Sequence, residues 1–414
     1  MSDAHKKSLV QNVSQKRVSA SFDADRRPLL GRRKRANCRV CMLMITHACN
    51  LRCSYCYERH KDNGMMSFAT AKSIIVREIE YVKKSPYFNR LEIDFMGGEP
   101  FMNFTLIMQV VEWIETVDAG FPICAFCSTN GTLATSEKCE WLGRHRRTIA
   151  CGLSYDGTNS MQGANRSNSK IDLDFFLTTW PEQWIRITVS KETLPYLNDG
   201  VVFLQEKKAH VQVALAQGVC WDLSDMKIFG RELAGLSQRY LANVTYEPVE
   251  FLTRSLANIG KRGINPIRSC GAGNGMVTYD IDGKCYPCHM FTPIVLGERA
   301  LEIGNATFCD DRKSIDPNCN GCIYLNWCSN CYGFNYLNRR DPFARNFSIC
   351  EMTNVHARAC CEFQLNYYYK NRDRLTEMDG AQIGAALDAY KIMSQHIYDW
   401  KECCRTMVDR KEVK

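Results

Sequence analysis

Along its first half the chain alternates apolar runs of strand length with segments of helical period. The run "VCMLMIT" (40–46) is continuous and apolar, as a strand buried on both faces would be. Next comes "SFATAKSIIVREIEYVKKS" (67–85), whose apolar residues recur at helical spacing behind Ser67, a residue type suited to an N-cap. The strand-like "RLEIDFMGGEP" (90–100) precedes the helical "FTLIMQVVEWIETV" (104–117). "FPICAFCSTNG" (121–131), "TIACGLSYDG" (148–157), "WIRITVS" (184–190) and "HVQVALAQG" (210–218) read as further strands. Between them stand the helical "SEKCEWLGRHR" (136–146), "LDFFLTTWPEQ" (173–183) and "LPYLNDGVVFLQEKK" (194–208). Six such steps on short connections predict an α/β unit with a parallel sheet covered by helices. An open doubly wound sheet and a barrel both satisfy the pattern.

Polar and glycine-rich pieces follow these strands: a cysteine loop, "GGEP", "STNG" and "SYDG". They fall at the C-terminal strand ends, where both parallel architectures bind ligands. The α/β unit covers residues 38–220, behind a polar leader at 1–37. Residues 221–269 read as a helical bridge, and 351–414 as a helical extension. Between them, residues 270–350 lose the helical period, abound in turns and hold nine cysteines.

Composition adds little, with 45% apolar and 24% charged residues. No apolar run reaches the roughly 18 residues of a membrane span, and the leader lacks the apolar segment of a secretory signal. The expected location is cytoplasmic, with no membrane partner. The net charge of +8 suggests nucleic acid until its distribution is considered: residues 1–35 hold ten Lys or Arg against three Asp. The excess belongs to the leader, which reads as a solvated tail or as an arm for an acidic partner. Nucleic acid is therefore not the expected partner.

The 23 cysteines change the picture. They fall in tight local clusters on a long chain, which in a reducing compartment points to metal or iron–sulfur ligation. "THACNLRCSYCYERH" (46–60) places Cys49, Cys53 and Cys56 at C-x3-C-x2-C. Three thiolates on one loop suit an iron–sulfur cube with one iron left open. A zinc site, or a fourth ligand from His47 or His60, is the alternative.

This loop, with Tyr55 before its third cysteine, resembles that of the radical S-adenosylmethionine (SAM) enzymes. "GGEP" (97–100), "STNG" (128–131) and "LSYDG" (153–157) follow in the order of that family, over about residues 40–218. The resemblance implies a partial (β/α)6 barrel of TIM type, followed by a small cysteine-rich iron–sulfur domain and a helical C-terminal segment. It implies a [4Fe–4S] cluster on Cys49, Cys53 and Cys56 whose open iron binds SAM. Reductive cleavage of SAM would then give a 5′-deoxyadenosyl radical that takes hydrogen from a substrate. Tyr55, Gly97, Gly98, Glu99, Asn130, Ser154 and Arg166 become candidate SAM-binding residues. The Gly97–Gly98 backbone would approach the methionine part and Glu99 would accept from its ammonium. Asn130 and Ser154 would make polar contacts, and Arg166 would meet the carboxylate. Taken singly, the same residues also read as a tight turn, a turn cap and an ion pair.

The second cysteine region reads C-x12-G-x4-C from Cys270 through Gly283 to Cys288, then C-x2-C-x5-C-x2-C over Cys319, Cys322, Cys328 and Cys331, then Cys350. The five-residue spacer is too short for a zinc ribbon. The region resembles the SPASM extension of some radical SAM enzymes, with a final C-x2-C where C-x3-C is common. That resemblance implies two auxiliary [4Fe–4S] clusters, one on Cys270, Cys288 and Cys331, the other on Cys319, Cys322, Cys328 and Cys350. A fourth ligand for the first would come from Cys285, from Cys309 or from a substrate thiol. Cys38–Cys41 and Cys124–Cys127 form C-x-x-C pairs that read as redox pairs or as buried structural thiols. The adjacent pairs Cys360–Cys361 and Cys403–Cys404 have no reading from sequence.

Within this superfamily the expected activity is modification of a peptide or protein side chain, a maturase forming a crosslink or an oxidation. The alternative is an anaerobic sulfatase-maturating enzyme. The resemblance would put an aspartate base after Cys288 for that reaction, and His289 stands there instead, as the candidate catalytic residue. A dehydrogenase of small alcohols uses the same scaffold. The expected partners are the peptide, a reductant such as flavodoxin or ferredoxin, and a separate leader-binding protein, since 39 residues before the barrel are too few for a winged-helix module. A non-catalytic iron–sulfur protein for electron transfer or sensing would explain the ligand cysteines but not "GGEP", "STNG" and "LSYDG".

Overall fold

A computed structural model of the chain describes residues 37–243, 245–261, 270–273, 275–303 and 316–396. Nearly all of the basic leader, Cys309 and the Cys403–Cys404 pair lie outside the described residues.

The six expected strands all form. β1 (Cys38–Thr46), β2 (Arg90–Gly97), β3 (Ile123–Thr129) and β4 (Ile149–Leu153) pair in parallel in that order. β5 (Trp184–Val189) and β6 (His210–Leu215) make a second parallel pair. A bridge between Ser154 and Arg186, with the Tyr155 N–H donating to the Arg186 carbonyl at 3.0 Å, attaches β5 beside β4. Strand order thus follows chain order from β1 to β6, the arrangement of a partial barrel; no closed barrel forms among the described residues.

Helices α1 (Phe68–Lys84), α2 (Phe104–Ile114), α3 (Ser136–Arg144), α4 (Asn159–Asn165), α5 (Leu173–Thr179) and α6 (Leu197–Glu206) fill the connections. Ser67 caps α1, its Oγ accepting from the Thr70 N–H at 3.1 Å. The i, i+3, i+4 spacing of α1 buries Ala71, Ile74, Ile75, Ile79 and Val82. On β2 the alternation buries Leu91, Ile93 and Phe95 in the same core and turns Glu92, Asp94 and Met96 to the other face. Each large side chain buried there contributes about 1.5–3 kcal/mol.

The structure departs from the sequence pattern at three places. "NSMQGAN" has no apolar period, yet it forms α4 because Thr158 caps it. The segment 194–208 divides into a 3-10 turn, Leu194–Tyr196, and α6. The turn-rich 270–350 region contributes β7 (Met276–Tyr279) and β8 (Cys285–Tyr286) to the main sheet. β7 runs parallel to the free edge of β1, and β8 antiparallel to β7.

α7 (Leu223–Ala242) follows the barrel strands and opens on a capping box between Asp222 and Asp225. α8 (Tyr332–Arg339) lies within the region where no helical period was expected. α9 (Ser348–Lys370) packs against α7 and against α10 (Glu377–Gln395). Cys360 and Cys361 are buried on α9, bonded to the Phe251 and Ala386 carbonyls, which gives this pair a packing role. Among the described residues, no helix is long and apolar enough to cross a membrane.

Candidate functional site

The first cysteine loop leaves the C-terminal end of β1. Its two ends are pinned together: the His47 N–H donates to the Gly64 carbonyl, and the Met66 N–H to that of Ile45, both at 2.9 Å. Cys49, Cys53 and Cys56 are half-buried free thiols, and the Cys56 N–H turns back onto the Cys53 carbonyl at 3.1 Å. Burial raises the Cys53 pKa, Arg166 opposes that, and the Cys56 and Cys49 sulfurs act on Cys53 as near neighbours. Lys61 donates to the Leu51 carbonyl at 3.4 Å and to the Cys56 sulfur. Among the described residues, no three Cys, His, Asp or Glu converge on the volume of a single metal ion. Three soft donors around a loop suit a larger iron–sulfur group instead.

The "GGEP" glycines serve this loop directly. A Cβ on Gly97 would stand 2.3 Å from the Thr46 carbonyl oxygen, and one on Gly98 2.4 Å from that of Ala48 and 2.8 Å from the Cys49 Cβ. The space freed by the missing side chains is therefore filled by the chain's own backbone. The Gly98 and Glu99 N–H groups use that closeness to donate to the Thr46 and Ala48 carbonyls, at 3.1 and 2.8 Å.

Glu99 is buried and clamps the neighbouring strand end. Its carboxylate accepts from the Thr129 hydroxyl at 2.6 Å, the Asn130 N–H at 2.8 Å and the Phe101 N–H at 3.1 Å. Burial raises its pKa, and these donors oppose the rise. The Asn130 side chain donates to Asn50, inside the cysteine loop, at 3.1 Å. "GGEP" and "STNG" thus brace the loop from two strands.

Asp156 in "LSYDG", which the sequence reading quoted without assigning a role, is the hub of the opposite wall. Its fully buried carboxylate accepts from the Tyr55 hydroxyl at 2.5 Å, Arg166 Nε at 3.0 Å, Asn165 Nδ2 at 3.1 Å and the Thr188 N–H at 2.8 Å. Burial alone would lower the Arg166 pKa, but Asp156, Tyr55 and Cys53 together raise it above its ordinary value. That cation lies 5.4 Å from the Tyr55 ring centre. Ser154 is half-buried at the end of β4, its N–H on the Thr129 carbonyl at 2.9 Å. Tyr55, Arg166 and Cys53 therefore meet, while Glu99 and Asn130 approach the loop from β2 and β3.

In the second cysteine region, Cys270 and Cys331 both act on buried Cys288. Cys319, Cys322, Cys328, Cys331 and Cys350 line one cavity. Cys285 is directed elsewhere: it sits with Tyr279, Glu78 and Arg39, near Cys41. Cys285, one of the three sources open for a fourth ligand of the first set, thus stands at the start of β8 among Tyr279, Glu78 and Arg39. Strand alternation separates Cys38 from Cys41 on β1 and Cys124 from Cys127 on β3, so neither C-x-x-C pair can close on itself.

His289 follows Cys288 on the one-turn helix His289–Phe291. Its ring centre is 5.7 Å from that of Tyr57, and its buried Nδ1 has no hydrogen-bond partner. Burial, helped by Arg186, pushes its pKa down to about 4. Tyr57 was not singled out from sequence; its ring lies between the first loop and the second cysteine region, near both Cys56 and Cys331.

Residues 36–156 match a family of single-cluster 4Fe-4S domains. An uncharacterized protein of Methanocaldococcus jannaschii is 31% identical over 171 residues, which cover 39% of this chain and 57% of that one. The radical SAM cyclopropyl synthase TigE of Paramaledivibacter caminithermalis is 26% identical over 179 residues, 39% of this chain and 37% of that one. The chain thus spans little more than half of the first relative's length and about a third of the second's. Among solved structures, anSMEcpe with bound AdoMet superimposes with a TM-score of 0.58 at 17% identity, covering 85% of this chain and 99% of that one. SuiB of Streptococcus suis bound to S-adenosylmethionine gives 0.51 at 16% identity, over 83% and 80%. At such identities these likenesses speak for the fold.

Proposed function

We propose that this chain, a radical SAM protein with a SPASM-like extension, modifies a peptide or protein side chain by SAM-dependent radical chemistry. The observation that carries the proposal is the convergence of three free thiols with the Tyr55–Asp156–Arg166 cluster at the C-terminal end of a partial barrel. A [4Fe–4S] cluster on Cys49, Cys53 and Cys56, once bound, would supply reductive cleavage of SAM.

The chain's own groups would do the rest. Arg166, charged and held by Asp156, is available to orient a carboxylate beside Cys53. Glu99 and Asn130 fix the loop that carries the thiols. Cys270, Cys288 and Cys331 would hold one auxiliary cluster, and Cys319, Cys322, Cys328 and Cys350 another, with a flavodoxin- or ferredoxin-like reductant supplying electrons. Structures of anSMEcpe and SuiB with bound peptides support a peptide substrate. A sulfatase-maturating reaction finds less support, because His289 stands where a carboxylate base is wanted.

The test is anaerobic reconstitution with iron and sulfide, reduction with dithionite and addition of SAM. The chain is expected to form 5′-deoxyadenosine, and Cys53→Ala to form none. No product from the intact chain, or equal product from the variant, would overturn the proposal.

A further inference from the structure

The inner faces of β2 and β5 carry a set of polar groups that the cysteine loops do not use. On β2, Asp94 points away from the helix-covered core that takes Leu91, Ile93 and Phe95. Its Oδ1 is buried and has no hydrogen-bond partner. On β5, Arg186 projects from the strand position bridged to Ser154, and its Nε donates to Gln212 of β6 at 3.3 Å. Among the described residues no carboxylate pairs with Arg186 within 4.0 Å. On β5, Ile185, Ile187 and Val189 enter the helix-covered core, so Arg186 stands on the opposite face, exposed, and its charge acts on Asp94, Tyr57 and His289 alike. His289 adds a second buried atom without a partner, Nδ1.

Unsatisfied buried polar atoms are costly, and this space collects two of them beside a guanidinium without a carboxylate partner. Burial raises the Asp94 pKa to about 8, the Glu92 charge on the same face adds to the rise, and Arg186 opposes it. Asp94 is then a carboxylic acid at neutral pH, with an O–H to donate. A guanidinium and a carboxylic acid on facing strands both donate, and what fits between them is an anionic acceptor.

We propose that the space between β2 and β5 is the substrate chamber, in which Arg186 takes a carboxylate side chain of the substrate peptide and Asp94 donates a hydrogen bond to it. This rests on the peptide-modifying reading above and narrows it to substrates with Asp or Glu at or beside the modified residue. Arg186 and Asp94 are specificity residues here, and the thiols remain responsible for SAM.

The experiment uses the full reconstituted chain with SAM bound and no reductant. Binding of two probes, Ac-Gly-Glu-Gly-NH2 and Ac-Gly-Gln-Gly-NH2, is measured by calorimetry. The Glu probe is expected to bind about tenfold tighter than its isostere. Arg186→Gln should abolish the preference and Asp94→Leu, which removes the donor, should reduce it, with the thermal midpoint of each variant checked against the parent. Equal affinity for the two probes, absence of binding by either, or a preference that survives Arg186→Gln overturns the assignment. SAM cleavage is followed separately: a chain that prefers the Glu probe but cleaves no SAM would keep the chamber and lose the reading on which it rests.

Discussion

Cys285 and Cys288 stand three positions apart in the chain, yet Cys285 lies with Tyr279 and Glu78 while Cys288 lies with Cys331 and Cys270. The ligand spacing C-x3-C-x2-C was legible because a short loop keeps neighbouring cysteines together whatever the fold. The placement of Cys285 was not, because it depends on the register of β8 against β7. Cys285→Ser is expected to leave the iron content of the reconstituted chain unchanged. Cys288→Ser should lower it by up to four irons per chain if a whole [4Fe–4S] cluster is lost. Colorimetric iron and sulfide determination on both variants checks this, and equal loss in both would contradict the placement of Cys285. Asp94 and Arg186 escaped the sequence reading for a related reason: an inward-facing charge on a strand declares itself only once the opposite strand is in place.

At the level of elements, the strands and the longer helices of the barrel were readable from period and capping residues alone. α4 was not, since its seven residues carry no apolar stripe and depend on the Thr158 cap and surrounding contacts. The room left by the "GGEP" glycines is taken by Thr46 and Ala48. Gly98→Ala forces a methyl carbon against the Ala48 carbonyl and the Cys49 Cβ. The expected cost is about 1–3 kcal/mol, with reduced iron at the first loop. Thermal melts of the unloaded and loaded variant check it; unchanged stability and iron content would show that the loop is not held there.

Across the whole molecule, the helical bridge, the second cysteine region and the C-terminal helices meet around His356. It lies on α9, bonded to the Phe251 carbonyl at 2.6 Å, with its ring against Phe251 and Trp327. Burial depresses its pKa from 6.5 to about 4, Arg254 adding to the effect and the Phe251 bond opposing it. The folded state therefore keeps His356 neutral where the unfolded chain would protonate it. Its contribution is complete above pH 6.5 and declines as pH falls toward about 4, below which the loss levels off. Urea midpoints across that interval should fall less steeply in His356→Gln; an identical slope would remove His356 from the acid response. The order of strands in the barrel was legible at this scale. The joining of β7 and β8 to the barrel sheet was not, because two short strands lack the length to show a period.

The account turns on an iron–sulfur cluster at Cys49, Cys53 and Cys56 that has room for SAM. Electron paramagnetic resonance of the reduced, reconstituted chain, recorded with and without SAM, addresses that directly. One cluster signal should change its g-values on adding SAM, and that SAM-sensitive component should be missing from Cys53→Ala. A spectrum that SAM leaves unaltered in the intact chain would contradict the account.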